Sequence, residues 1–362
     1  MREEIRFGVI GTGMMGIEHI ENLQLIEGNI ITAICDPNER SLETANELTG
    51  GKASCFNSHQ DLLENGKVDA LVVATPNMTH TEILIDVLDT KIPVMIEKPL
   101  CITAQDCAKV IAAADDDAMV WVGLEYRYMP AVSELIKRVN EGIIGPIRMV
   151  SIREHRFPFL EKVENWNRFN SNTGGTLVEK CCHYFDLMNL ITKDLPVRVM
   201  ASGGQDVNHL DEKYGGKVPD ILDNAYVIVE FESGARGMLD LCMFAEATRN
   251  QEEISVVGDQ GKVEALVPES VVRTGIRGEH WIGSVKEEHS ENPEIMHEGL
   301  HSGASYIEHL RFREALLQGI KPEVGLKEGF WSVAVGEAAQ LSIKRKSSVE
   351  IDEVIEGTGI KR

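Results

Sequence analysis

Apolar residues in the first third of the chain fall in short unbroken runs. These are Phe7-Gly8-Val9-Ile10, the stretch Asn29–Cys35, Ala70-Leu71-Val72-Val73-Ala74, and residues 93–96 and 119–123. Runs of this length without polar alternation predict strands buried on both faces, as in a parallel sheet. Helical spacing predicts helices between them over residues 17–26, 39–48, near 61–63, 80–88 and 103–114, with a short extended segment at 53–56. In the first helix Ile17, Ile20 and Leu23 form the apolar face. Past residue 124 the pattern changes to alternation, at 147–153, 197–202, 225–231, 235–244, 253–257 and 262–266. The turns Glu232-Ser233-Gly234 and Gly258-Asp259-Gln260-Gly261 between them predict antiparallel hairpins. The fold class is therefore α/β over residues 1–124, followed by an α+β domain over 125–362 built on a large, mostly antiparallel open sheet. Residues 272–298 carry no assignable pattern. A sheet with one apolar face left uncovered predicts a homo-oligomer, a homodimer or homotetramer.

The first strand runs directly into Gly11-Thr12-Gly13-Met14-Met15-Gly16. Glycines at this spacing allow a tight turn, close approach of the backbone to a pyrophosphate, and close helix–strand packing. The following helix offers free N–H groups and the positive end of its dipole to phosphate. The second strand ends in Asp36, at the position expected of a carboxylate that accepts the ribose hydroxyls and repels a 2′-phosphate. That reading makes the first domain a Rossmann domain for NAD; Arg40 is the residue that would cover a 2′-phosphate if Asp36 turned away. Ligands of such sheets sit beyond the carboxyl ends of the strands. Thr75-Pro76-Asn77, with His80 just after, and Glu97-Lys98-Pro99 also stand at strand ends, so all should converge with Gly11 and Asp36 on one crevice.

Composition narrows the class. Hydrophobic residues make up 43% of 362, enough for ordinary cores. No stretch approaches the roughly 20 unbroken apolar residues of a membrane span. A strand so near the N-terminus leaves no room for a signal peptide, and seven Cys without a CxxC pair fit reduced thiols, so a cytoplasmic protein is expected. A net charge of −22 without a basic stripe argues against nucleic acid.

The second half holds one telling segment, Gly174-Gly175-Thr176-Leu177-Val178-Glu179-Lys180-Cys181-Cys182-His183-Tyr184-Phe185-Asp186-Leu187-Met188. On a continuous helix Glu179, His183 and Asp186 share one narrow stripe in a largely apolar wall. This predicts a buried helix pointing titratable groups into a cavity; the competing reading is a structural histidine held by a carboxylate. A metal site is not expected, because no second histidine is suitably spaced. His183, with an ordinary pKa of about 6.5, suits a proton acceptor, and Glu179 would orient it. Lys98 as an ammonium would stabilise a developing alkoxide; with a depressed pKa it would be the base instead. Tyr126-Arg127 and Trp166-Asn167 either line a sugar pocket or pack between domains.

The glycine turn, Thr75-Pro76-Asn77 with His80, Glu97-Lys98-Pro99 and the Glu179…His183…Asp186 segment occur in an order that resembles the glucose-fructose oxidoreductase / inositol dehydrogenase family (Gfo/Idh/MocA). The resemblance spans nearly the whole chain. It implies a Rossmann domain, an open-sheet second domain used for dimers or tetramers, and oxidation or reduction of a ring hydroxyl or carbonyl of sugars and cyclitols. It places Lys98 and His183 on either side of the reacting carbon and brings His301 toward the substrate. Glu179 stands where members commonly have Asp. Three functions share these motifs: an NAD-dependent sugar, glycoside or cyclitol dehydrogenase, a glycosidase acting through transient oxidation, and a non-enzymatic NAD sensor.

Overall fold

The structure, a computed structural model, describes residues 4–362. Its first sheet is six-stranded and parallel, in the order β3-β2-β1-β4-β5-β6. The strands are β1 (Ile5–Ile10), β2 (Asn29–Cys35), β3 (Ser54–Phe56), β4 (Ala70–Val73), β5 (Val94–Glu97) and β6 (Val120–Gly123). The order reverses between β1 and β4, which opens the crevice where doubly wound sheets bind dinucleotides. Connecting helices are α1 (Met14–Leu25), α2 (Glu39–Leu48), α3 (His59–Asn65), α4 (His80–Thr90) and α5 (Ala104–Ala113). Asn38, Ser58 and Thr103 start α2, α3 and α5 by accepting a backbone N–H of the first turn. Gly13, at the start of α1, has no side-chain cap, so the first N–H groups of α1 lack a side-chain acceptor. That helix begins at Met14, three residues before the pattern of apolar positions announced it.

The second sheet has nine strands, in the order β14-β13-β12-β11-β7-β10-β9-β8-β15. They are β7 (Ile147–His155), β8 (Pro196–Gly204), β9 (Asn224–Phe231), β10 (Arg236–Cys242), β11 (Glu252–Gly258), β12 (Gly261–Val267), β13 (Val271–Ile276), β14 (Lys286–His289) and β15 (Val349–Glu350). All pairings are antiparallel except β7 with β10. Residues 272–298, unreadable in sequence, supply β13 and β14. Lys286-Glu287-Glu288-His289 is a charged edge strand, and a solvated edge has no apolar alternation to read.

Register fixes the two faces of this sheet. Val199, Val229, Gly237, Val150, Val256 and Val263 lie in one row across neighbouring strands, and the five valines are buried. The row beside it on the opposite face, Met200, Ile228 and Met238, is exposed, as is Tyr226. The inner face is covered by α6 (Pro130–Asn140), α9 (Cys182–Thr192) and α11 (Leu326–Arg345); α7 (Asn170–Thr173) and α8 (Thr176–Glu179) are single turns before α9.

One late helix crosses back to the first sheet. α10 (Ala304–Gln318) sets Phe312 against Phe7 and Trp121, with ring centroids 6.3 and 6.0 Å apart. Trp121 Nε1 donates to Glu308 Oε1 at 3.0 Å, and His19 Nδ1 meets His309 Nε2 at 2.8 Å. Glu18, His19 and Asn22 on α1 are consequently buried, although their side of the helix reads as polar.

Candidate active site

A cavity of about 700 Å³ opens at the carboxyl ends of the parallel strands. It brings together Gly11, Gly13, Met14, Met15, Asp36, Thr75, Pro76, Asn77, Glu97 and Lys98 from the first sheet with Trp166 and Glu179 from the second half. The glycines differ in what surrounds them. Gly11 has φ +88°, and a Cβ there would stand 2.6 Å from the Ala74 carbonyl oxygen. A Cβ at Gly16 would overlap the Gly11 carbonyl oxygen, so Gly16 sits beneath the turn and outside the cavity wall. Gly13 faces open space, which leaves its backbone approachable by a phosphate.

Asp36 is oriented by its neighbours. Its Oδ2 accepts from the Thr12 N–H at 2.7 Å and Oδ1 from the Asn38 N–H at 2.8 Å. Thr12 itself is buried behind the wall. Arg40 is exposed and does not line the cavity. Asn77 Nδ2 and Glu179 Oε2 are buried without hydrogen-bond partners among the described residues, and both residues line the cavity. A polar ligand is the ordinary explanation for such groups, so the residues present fit a bound dinucleotide.

Lys98 Nζ lies 3.3 Å from the Glu179 carbonyl oxygen. Burial disfavours its charge, but the acidic groups around it, Glu97, Glu179 and Glu125 among them, outweigh burial and hold Lys98 above its ordinary value. These neighbours favour the ammonium form of Lys98. Glu97 Oε1 pairs with His19 Nε2 at 2.9 Å. Burial opposes ionisation of Glu97, yet the hydrogen bond from His19 and the positive charges nearby bring it to about 2. Burial pushes Glu179 up to about 7 against the pull of Lys98 and Lys162. Lys162 lines the cavity as well; it lies in an irregular segment with no signal by which sequence could have singled it out.

The Glu179–His183–Asp186 stripe is not continuous. The helix breaks at Lys180-Cys181, between α8 and α9, so the three side chains part. Glu179 lines the cavity. His183 does not line the cavity: it is buried, stacked on Tyr126 at 3.9 Å between centroids and 8° between planes, and neither ring nitrogen has a hydrogen-bond partner among the described residues. Burial and then Lys98 keep it well below 6.5, hence neutral. The carboxylate nearest it is Glu125, 3.8 Å from Nδ1, not Glu179. Asp186 takes both its bonds from Arg127 Nη2, each 2.6 Å, inside the core. Asp186 and Arg127 are thus a buried ion pair and do not line the cavity.

Four other expected contacts are also displaced from the wall. His80 is fully buried, its ring nitrogens 2.8 and 3.0 Å from the Pro99 and Thr75 carbonyl oxygens, so it struts two strand-end loops together. Asn167 donates to the Leu160 carbonyl at 3.1 Å. His301 faces Glu125, Nδ1 to Oε1 3.3 Å. Tyr126 backs His183, and its hydroxyl accepts from Lys180 Nζ. Lys180 is the residue the helix pattern passed over. It is buried, pairs with Glu154 at 3.0 Å, and sits beside Arg156 and Glu252. A lysine in an apolar wall was the available signal.

Glu252 yields a stability prediction. Burial, reinforced by Glu154, raises it from 4.5 to about 7. Between those values the native state holds a proton that the unfolded chain has released, so stability falls as pH rises from about 4.5 to 7, by at most about 3 kcal/mol. Glu252→Gln is expected to flatten the decline in Tm between pH 5 and 8 in thermal melts; an unchanged slope would show Glu252 to titrate normally.

Fold and site together define a two-domain oxidoreductase with a nicotinamide dinucleotide crevice. Residues 5–124 match the oxidoreductase family's NAD-binding Rossmann fold, and residues 136–351 match that family's C-terminal alpha/beta domain. The chain belongs to the Gfo/Idh/MocA oxidoreductase family, and its cofactor is NAD. It is 30% identical over 360 residues to myo-inositol 2-dehydrogenase of Thermotoga maritima, covering 97% of this chain and 100% of that one. It is 26% identical to 2,7-anhydro-N-acetylneuraminate hydratase of Escherichia coli, over 98% and 100% of the two chains. A crystal structure of a probable dehydrogenase from Thermotoga maritima superposes with TM-score 0.78 at 28% identity, covering 97% of this chain and 100% of that one.

Proposed function

We propose that the protein oxidises a secondary ring hydroxyl of a cyclitol or sugar, with an inositol as the first candidate. The observation that carries this reading is the Lys98–Glu179 pair in the same cavity as the glycine turn and Asp36. The full-length similarity to a myo-inositol 2-dehydrogenase supports the substrate class. NAD, when bound, supplies the hydride acceptor. The Gly11–Gly16 turn and the start of α1 would hold its pyrophosphate and Asp36 its adenosine ribose, with Asn77 and Glu97 lining the same cavity. Lys98 donates a hydrogen bond to the substrate oxygen and stabilises alkoxide character. His183, neutral and with two unpartnered nitrogens, accepts the hydroxyl proton. Trp166 lines the pocket.

A panel of inositols, sugars and glycosides with NAD tests the reading by NADH absorbance and by product analysis. Stoichiometric ketone and NADH support it. Product without net NADH would replace it with transient oxidation, the chemistry of an elimination or hydration. The exposed row Met200, Ile228 and Met238 with Tyr226 supports assembly through the outer sheet face. Sedimentation should give a multiple of 40.1 kDa; a monomer at micromolar concentration would exclude that interface.

A further inference from the structure

Oxidising an alcohol releases a hydride to the cofactor and a proton to the protein, and the proton must then reach water. His183 has almost no exposure of its own, and both of its ring nitrogens lie buried without a hydrogen-bond partner among the described residues. One acidic side chain faces it. Glu125 Oε2, also buried and unpartnered, is 3.8 Å from His183 Nδ1. The other oxygen of the same carboxyl, Oε1, is 3.3 Å from His301 Nδ1. His301 in turn keeps 17% of its side chain exposed. A single buried carboxyl thus stands between the His183 imidazole and the partly exposed imidazole of His301. Burying Glu125 without satisfying Oε2 is costly, and a structural role gives no reason for it.

We propose that Glu125 and His301 form the path by which the substrate proton leaves His183 for solvent. This rests on the dehydrogenase reading above. The step balances without a co-reactant. The substrate O–H proton enters the ring at Nε2 while the Nδ1 proton passes to Glu125 Oε2. The proton already on Oε1 moves to His301 Nδ1, and His301 releases one to water. The carbinol carbon is oxidised and NAD reduced; Glu125 and both histidines keep the charge they began with, each now holding its proton on its other atom, and each proton returns to its starting atom before the next turnover. Glu125 acts through His183 and does not touch substrate.

The protonation states agree with that route. Burial raises Glu125 to about 8, with Glu97 and Glu18 adding to it and Lys98 opposing, so it carries a proton at neutral pH. Burial lowers His301 to about 3, so it does not retain an arriving proton. The groups facing Glu125 are Glu97 at the end of β5, Lys98 just after it, Glu18 on α1, His183 on α9, His301 before α10 and Glu308 on α10.

Glu125→Gln, Glu125→Asp and His301→Gln test the path with the best substrate of the panel, deuterated at the oxidised carbon. Glu125→Gln is expected to lower kcat by roughly 10²-fold, with NAD affinity unchanged and turnover partly restored by added formate or imidazole. Glu125→Asp should retain more activity than Glu125→Gln. Infrared spectra at pH 7 should lose a protonated-carboxyl C=O band in Glu125→Gln, a readout independent of turnover. Where Glu125→Gln fails to fold, His301→Gln is read for the same loss and rescue. Wild-type kcat in these folded variants, or loss without rescue and with no infrared change, overturns the path while leaving the dehydrogenase reading intact. Absence of deuteride transfer in the wild type overturns both.

Discussion

Lys98→Met is expected to lower kcat by roughly 10²–10³-fold while NAD affinity changes little. Lys98 sits at the strand end where the cavity meets Glu179, and the acidic groups around it keep it charged across the working range. Methionine preserves the length of the arm and removes the hydrogen-bond donor at the developing alkoxide. His183→Ala should cost a similar factor for a different reason, the loss of the proton acceptor. pH profiles separate the two. Glu179, near 7, contributes a limb around neutrality that Glu179→Gln should remove, whereas Lys98→Met lowers the curve and moves that limb to higher pH, because Lys98 no longer pulls Glu179 down. Calorimetric titration with NAD and steady-state kinetics decide the matter. Normal turnover in His183→Ala would discard the base assignment, and loss of NAD binding in Lys98→Met would make Lys98 a cofactor ligand.

Asp186→Ala should destabilise the fold by about 3–5 kcal/mol. The substitution leaves the Arg127 guanidinium, 8% exposed, without its carboxylate. Burial already works against Asp186, raising it above its ordinary value despite Arg127, so the pair is held by mutual geometry and not by comfort in its surroundings. Replacing both partners at once, Arg127→Met with Asp186→Leu, should recover most of the loss, because an apolar pair has no charge to strand. Urea denaturation of the single and double variants measures the coupling. A wild-type midpoint in Asp186→Ala would show that the pair contributes nothing, and a change in substrate KM without loss of stability would return Asp186 to the pocket.

Sequence legibility followed the range of the interactions involved. The glycine turn, Asp36 and the strand-end lysine are local: each role depends on a few neighbouring residues and a strand that ends there. The helix stripe failed because a 3.6-residue period assumes an unbroken helix, and Lys180-Cys181 interrupt it. Arg127 and Asp186 looked like pocket residues because a polar group in an apolar setting has two resolutions, a ligand or a partner, and the partner lies on another element. Glu125 stands beside Tyr126 and Arg127, which the motifs did flag, yet only folding brings His183 and His301 to either side of it. Lys162 was invisible for the opposite reason, since nothing regular surrounds it.

The return of α10 to the first sheet bears on how the protein is made. Trp121 Nε1, His19 Nδ1 and the Phe7 ring meet partners on a helix that leaves the ribosome after Ala304. A nascent chain that has finished all six parallel strands still exposes an indole N–H, an imidazole and an aromatic face that the finished molecule buries. The dinucleotide half is therefore not a detachable cassette. Grafting residues 1–124 onto another substrate domain would carry over the glycine turn and leave behind the helix that seals it.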